Sequence, residues 1–258
     1  MDFIFPIKTR SISLTGNSCS LNCAHCGGRY LAHMTSVNEF LKSDEKNITS
    51  VLVSGGCDAD GKVPLLDYSI ELVQLKRNYR IVAHTGLFPP QNAGRLSGLV
   101  DVVSFDFPQS NRVINEVFGI GKKQLDYIDS LRALAKHVRV VPHMTIGLMG
   151  GLVDGETSAL DALSALGFKK VVLNVFIPTK GTALEKSRPP PLPDTVSVLK
   201  EARKRFDTVY LGCMRPQGEY RRLLDNMSLE YVDGIVMPGR GVMRRVPDAR
   251  ILHECCAL

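Results

Sequence analysis

No apolar run in this chain approaches the roughly 18 residues a membrane helix needs. The opening segment, MDFIFPIKTRSIS, lacks the basic-then-apolar order of a secretory signal. These two absences set the expectation of a cytoplasmic protein with no membrane partner. No Lys/Arg block carries interleaved aromatics, and the net charge of +6 is mild, so nucleic-acid binding is not expected either. The basic runs at 221–223 and 244–245 could meet an acidic partner, but read more simply as a solvated surface. No linker, repeat or low-complexity stretch divides the chain, which points to a single domain over 1–258. The seven cysteines are odd in number and sit in a long chain, which argues against a secreted disulfide framework.

Hydrophobic residues make up 44%, enough for a sizeable core. Short β-branched runs recur near 10–15, 50–54, 80–84, 102–106, 138–146, 171–177, 208–212 and 234–237. Their start-to-start spacing of roughly 22 to 40 residues is that of βα units rather than hairpins. Between them, 65–78 has an apolar face at Leu66, Ile70 and Val73, and 123–137 repeats the helical period. Pro193 and Asp194 open a further helix over 193–206. Turns carry Gly86, Pro89, Pro90, Gly155 and Gly167. Eight such units predict an α/β fold, a (β/α)8 TIM-type barrel that is complete or nearly so. A doubly wound sheet competes, but no GxGxxG follows the first strand.

In such a barrel, chemistry collects where strands end. The stretch CSLNCAHC, Cys19 to Cys26, follows the first strand. SGGCD follows the second, His84 ends the third and Asp106 the fourth. His143 and Thr145 lie on the fifth, and Asn174 on the sixth. GCMRP and MPGRG follow the seventh and eighth, and the tail HECCAL is expected over the barrel mouth. Thiolates are soft ligands for zinc or iron–sulfur clusters. The x3-then-x2 spacing of Cys19, Cys23 and Cys26 lacks the second pair of a closed zinc site, unless His25 and His33 complete it. Three thiolates on a four-iron cube instead leave one iron open to a substrate.

CxxxCxxC after an N-terminal strand resembles the signature of the radical S-adenosylmethionine (SAM) superfamily. Ser54, Gly55 and Gly56 resemble its methionine-binding element, with Cys57 in place of the acid. LNVFIPTKGTAL at 173–184 is similar to a sixth-strand pattern of biotin-synthase-like members, with Phe176 in place of Leu. The resemblance implies that Cys19, Cys23 and Cys26 hold a 4Fe-4S cluster whose open iron binds SAM. It implies reductive cleavage of SAM to a 5′-deoxyadenosyl radical. His25, Ser54, Gly55, Gly56, Asp106 and Asn174 are then the candidate cofactor-binding residues.

Cys57, Cys213, Cys255 and Cys256 lie outside the motif and suffice for a second, auxiliary 4Fe-4S cluster. As alternatives, Cys57 and Cys213 are small buried hydrophobes and the terminal pair lies on a frayed end. TGNSCSLNCAHCGGRYLAHM, SGGCDADGKVPL and LGCMRPQGEYRRLLD together resemble the biotin synthase-related group, which includes the smaller protein of the archaeal-type two-protein lipoyl synthase. That resemblance implies a sulfurtransferase inserting sulfur into an octanoyl chain carried on a lipoyl carrier protein or domain. Its implied partners are a second radical SAM protein and an electron donor. Cys57, Cys213 and Arg215 are the candidate catalytic residues, and Arg221 is a further candidate for orienting substrate. The competing readings are a one-cluster radical SAM enzyme (biotin synthase-like, lyase, mutase or methylase) acting on a small metabolite, and a zinc-binding scaffold.

Overall fold

The computed structural model describes residues 1–258. Eleven strands form one sheet, parallel throughout: β1 Asp2–Ile4, β2 Thr9–Ser13, β3 Thr35–Ser36, β4 Ser50–Ser54, β5 Arg80–His84, β6 Val102–Asp106, β7 Arg139–Ile146, β8 Lys170–Val175, β9 Thr208–Leu211, β10 Gly234–Val236 and β11 Arg250–Leu252. The helices are α1 Val37–Lys42, α2 Ser69–Lys76, α3 Gln124–Ala135, α4 Glu156–Ala165, α5 Leu192–Arg205, α6 Glu219–Ser228 and α7 Arg240–Arg245.

The sheet order is β11-β1-β10-β9-β8-β7-β6-β5-β4-β2-β3. The eight strands expected from the sequence lie side by side in chain order, from β2 to β10. They do not close on themselves. β1 pairs with β10 on one side and β11 on the other. Between β11 and β2 the seam is carried by single bonds: Lys8 N–H to His253 O (2.9 Å) and Cys255 N–H to Thr9 Oγ1 (2.9 Å). The architecture is therefore a parallel, barrel-like sheet with an unzipped seam, not an eight-stranded ring. β1, β3 and β11 are two or three residues long, too short for an alternation to show in sequence.

Side chains alternate across each strand. The outer set, including Val53, Ile81, Val103, Met144, Leu173, Val209 and Ile235, packs under the helices in the main core. Each such full burial contributes roughly 1.5–3 kcal/mol. The inner set, Ile4, Val82, Val102, Val141, Val172, Tyr210 and Val236, forms a second core that includes Cys256 and Ala257. One inner residue from each of seven strands meets the same short tail, so the sheet curls around a lumen.

The tail is not over the mouth. Lys170 Nζ donates to Cys256 O (2.7 Å) and Arg139 Nη1 to Leu258 O (3.0 Å). Arg80 pairs with Glu254, and Thr49 Oγ1 bonds Glu254 Oε1 (2.8 Å). Lys170, Arg139, Arg80 and Thr9 are the first residues of their strands. The tail thus plugs the floor of the barrel, at the strands' N-terminal ends. A ring of basic residues there fixes its carbonyls and Glu254.

Around α2 the exposed face also differs from expectation. Ile70 and Val73 are 72% and 46% exposed, while Leu65, Leu72 and Leu75 are buried. The segment has apolar residues on two stripes, and its first turn, Leu65–Tyr68, is a 3-10 helix that shifts the phase.

Candidate functional site

The loop leaving β2 is shaped by its own short side chains. Ser13 Oγ donates to Gly16 O (2.7 Å), and Thr15 Oγ1 donates to Ser18 O (2.8 Å) while accepting the Gly56 N–H (2.7 Å). A turn follows in which Cys26 N–H and Gly27 N–H both bond Cys23 O, at 3.1 and 2.8 Å. Gly27 and Gly28 then adopt left-handed φ of 51° and 71°, which costs glycine little.

This turn brings donors together. The side-chain donor atoms of Cys23, His25 and Cys26 lie within 4.8 Å of one another. The Cys23 and Cys26 thiols stand close together. The Cys23 thiol first, and His25 after it, lower the Cys26 thiol to about 4. The proximity of Cys26, with burial, drives Cys23 up. His25 Nδ1 is buried with no hydrogen-bond partner, and its ring leans on Phe118 with centroids 5.9 Å apart. Cys19 Sγ lies 3.9 Å from Cys57 O, outside this group of three donors. His33 is exposed and does not join this donor group.

Three neighbours clamp the loop. Gly56 lies under it: a β-carbon there would overlap Ser18 O and stand 2.5 Å from Cys19 Cα. Gly55 sits against Thr15, 3.3 Å from where its β-carbon would lie. Ser54 O accepts the Leu14 N–H (2.9 Å). The Ser54–Gly56 element therefore supports the cysteine loop directly, and Ser54 itself is half-buried. On the second side a π-helical turn, Val113–Phe118, receives Ala24 N–H on Val117 O (2.7 Å) and the Cys23 thiol on Phe118 O (3.8 Å). On the third, the segment after β8 reaches over: Leu184 N–H to Ala24 O (3.1 Å), Arg29 Nε to Gly181 O (3.1 Å) and Tyr30 Oη to Thr179 Oγ1 (2.9 Å). Phe176 packs with Val113, Val117 and Leu148 in a small core beneath Ala24. The bulkier ring at this position fills that core.

The other candidates divide. Cys57 stays beside the three-cysteine loop; burial first, then the charges of Cys19, Asp58, Asp106 and Cys26, push it up to about 12. Asp106 is exposed at the end of β6, with His84 Nδ1 4.0 Å from its Oδ2. Thr145 is half-buried, and its carbonyl accepts from Gln109. Asn174 is 9% exposed and its Oδ1 accepts the Met214 N–H (3.3 Å), so it fixes the loop carrying Cys213. Cys213 is exposed on the loop after β9, and burial of its thiol followed by the charge of Cys255 raises its pKa. Cys255 and Cys256 lie against the inner core, with Cys256 Sγ 3.9 Å from His143 Nε2. All seven cysteines are free. The four outside the motif do not form one donor group: Cys57 and Cys213 follow the C-terminal ends of β4 and β9, and Cys255 and Cys256 lie with the inner core at the floor.

Arg215 is not a substrate-facing residue. Its side chain is completely buried and paired with Asp225 (Nε–Oδ1 2.9 Å). The rest of its fork donates to Gly212 O (2.6 Å), Val236 O (2.7 Å) and Met237 O (3.2 Å). The sequence shows an Arg at a strand end but not the aspartate ten residues on that claims it. Arg221 donates to Cys213 O (3.3 Å) and Arg215 O (3.2 Å), leaving Nε buried and unpartnered.

The sequence reading missed Thr15, the π turn with Phe118, and the Arg29–Gly181 and Tyr30–Thr179 contacts. Of these only Thr15 had a signal, as a hydroxyl beside a glycine turn. No helix is long and apolar enough to cross a membrane.

By sequence, the chain matches no family model and no curated protein. Its fold has solved counterparts. Methylornithine synthase superposes with a TM-score of 0.66 at 14% identity, over 98% of this chain and 84% of that one. Streptococcus suis SuiB gives 0.55 at 11% identity over 95% of this chain, which spans about half (52%) of SuiB. A third, the radical S-adenosylmethionine methyltransferase TsrM from Kitasatospora setae with cobalamin and a 4Fe-4S cluster bound, matches 68% of this chain and 38% of that one, with a TM-score of 0.47 at 13% identity. The first two establish the fold.

Proposed function

We propose that this protein is a radical SAM enzyme, and more specifically a sulfur-inserting enzyme acting on a protein-bound octanoyl chain. The observation that carries the first part is the convergence of Cys23, His25 and Cys26 donors on a loop at the C-terminal rim of β2. The residues fit a 4Fe-4S cluster. The neighbouring Cys23 thiol holds the Cys26 thiol below its ordinary value, Cys19 lies on the same loop four residues before Cys23, and His25 Nδ1 is an orphaned polar atom facing no protein partner. Cys19, Cys23 and Cys26 would hold the cluster, which with SAM supplies a 5′-deoxyadenosyl radical.

The chain's own residues do the rest. Gly55, Gly56 and Thr15 keep the loop in register with β4. Phe118 and Phe176 shield its inner side. Asp106, exposed at the rim, is placed for ribose hydroxyls. Asn174 acts by holding the 212–214 loop. The plugged floor leaves the mouth as the route by which a lysine-borne acyl chain would enter.

The sulfur-insertion part rests on the resemblance of the stretches around Cys19, Cys57 and Cys213 to the biotin synthase-related group; Cys57 and Cys213, on the loops after β4 and β9, are the thiols beyond the motif that would contribute to a second cluster as the sulfur source. The substrate is then an octanoylated lipoyl carrier domain; the net charge of +6 suits an acidic carrier. A second radical SAM protein and an electron donor complete the reaction, in a reducing cytoplasm.

Anaerobic reconstitution, followed by mass spectrometry of an octanoylated carrier with SAM, reductant and a companion protein, tests both parts. Formation of 5′-deoxyadenosine with a mass gain of sulfur on the carrier is expected. Deoxyadenosine without sulfur transfer retains the radical SAM reading and removes the sulfurtransferase. A colourless protein carrying zinc removes both.

A further inference from the structure

Arg222 on α6 and Arg240 at the start of α7 line one cleft of about 260 Å³, with Gly218, Asn226, Gly239 and Gly241 forming much of the remaining wall. The cleft shares no residue with the three-cysteine site. Pockets for drug-sized ligands run from about 300 to 1,000 Å³, so this one suits a small ligand or the charged end of a longer one. Gly218 belongs to the loop after β9, and Gly239 to the MPGRG segment after β10. These are the seventh and eighth of the barrel's eight main strands. In barrels of this type the loops after those two strands frequently hold a phosphate.

The cleft's positive charge is not spent within the protein. Arg240 is exposed and makes no ion pair or side-chain hydrogen bond. Arg222 pairs only with Glu219, Nη2 to Oε1 3.2 Å, with both side chains more than half exposed. Such surface pairs are weak and yield to a better partner. Asn226 Oδ1 accepts from Arg245 Nη1 (2.9 Å), which ties a third guanidinium to the same wall. One acid lies at the back, Asp225, but it is fully buried and committed to the Arg215 fork and the Gly239 N–H. The wall is also bare where the fold does not require it. Gly239 has φ −68° and ψ 150°, and Gly241 is not left-handed, so neither conformation calls for glycine. A β-carbon on Gly239 would come no nearer than 3.6 Å to Asp225 Oδ2, and one on Gly241 would meet nothing within 4 Å. Glycine inside a helix costs stability; what it provides here is backbone that a ligand can approach closely.

We propose that this cleft binds the phosphate group of a small organic ligand, a phosphate monoester, between the guanidinium groups of Arg222 and Arg240. Guanidinium forks match phosphate oxygens in pairs, and both side chains stay charged at any working pH. A phosphate monoester carries nearly two negative charges at neutral pH, which two arginines balance. A single carboxylate would leave one of them without a partner. The site goes beyond the function proposed above and does not rest on it.

Isothermal titration calorimetry of the full chain with phenyl phosphate and with inorganic phosphate, in chloride at fixed ionic strength, is the test. Saturable binding is expected, with phenyl phosphate at least as tight as inorganic phosphate. Arg222→Gln and Arg240→Gln should each weaken it roughly tenfold or more, the loss of one charge-assisted bond. Both side chains are exposed, so far-UV circular dichroism should stay native. Arg77→Gln is the control: it removes the same charge from an exposed arginine at the end of α2, on the floor side before β5, and should leave affinity unchanged. No saturable binding to the wild type, or equal weakening in all three variants, overturns the site. Binding of inorganic phosphate with phenyl phosphate excluded overturns the organic ligand and leaves a site for the free ion. None of these outcomes bears on cluster assembly at the three-cysteine loop, so this site and the proposed function fail separately.

Discussion

Arg215 and Asp225 form an ion pair with neither side chain exposed, Nε to Oδ1 2.9 Å and Nη2 to Oδ2 3.3 Å. The pair ties the loop after β9 to the loop after β10, because Asp225 Oδ2 also accepts the Gly239 N–H (2.9 Å). Removing one partner strands the other charge in the interior, which costs about 3–5 kcal/mol. Arg215→Ala should lower stability by that amount in urea unfolding. Iron per folded chain at the three-cysteine loop should be unchanged. A variant of normal stability with lost turnover would return Arg215 to the catalytic set.

Gly56 is predicted to be irreplaceable even by alanine. An added methyl meets backbone, Ser18 O and Cys19 Cα, which cannot swing away. Gly56→Ala should therefore lose most of its iron after reconstitution. Gly121→Ala, where nothing stands within 4 Å, is the control. Equal visible absorbance in the two variants would refute the bracing role.

Glu156 gives a pH signature. It is 1% exposed; Gly147 N–H bonds its Oε1 (2.8 Å) and Oε2 has no partner. Burial, the dominant cause, raises its pKa above the ordinary carboxylate value. The unfolded chain therefore releases this proton at lower pH than the folded one. Its stabilisation is complete below the unfolded pKa and is lost as pH rises through the folded pKa. Thermal melts across that window should show wild-type stability falling relative to Glu156→Gln. Parallel curves would mean that the carboxyl does not titrate there.

The floor plug rests on basic side chains. Lys170→Ala removes a charge-assisted bond to Cys256 O, worth roughly 1.5 kcal/mol. Hydrogen exchange at 253–258, followed by mass spectrometry, should then speed by about tenfold, the factor that 1.4 kcal/mol represents. Unchanged exchange would show that the inner apolar core alone retains the tail.

Much of the site was legible because its signals are local. Cys19, Cys23 and Cys26 lie on one loop, with a turn joining Cys23 to Cys26, and the eight main strands announce themselves by β-branched runs. Ser54–Gly56 was singled out, but its close packing on Cys19 depends on a neighbouring strand. Arg215 was misread because its partner comes from a helix, not from the motif that contains it. Ile70 and Val73 were misread because two apolar stripes on one segment give periodicity without saying which stripe faces inward.

By itself, then, the sequence determined the order of βα units and the spacing of three thiols, since period and loop chemistry act over a few residues. Only the tertiary structure decided which cysteines meet. The curl of the sheet puts the strands' first residues, Arg80, Arg139 and Lys170, around one floor. Their positive charges hold a tail that the barrel reading had placed over the mouth. That single placement separates Cys57 from Cys255 and Cys256, and brings Cys256 to His143, 113 residues away in the chain.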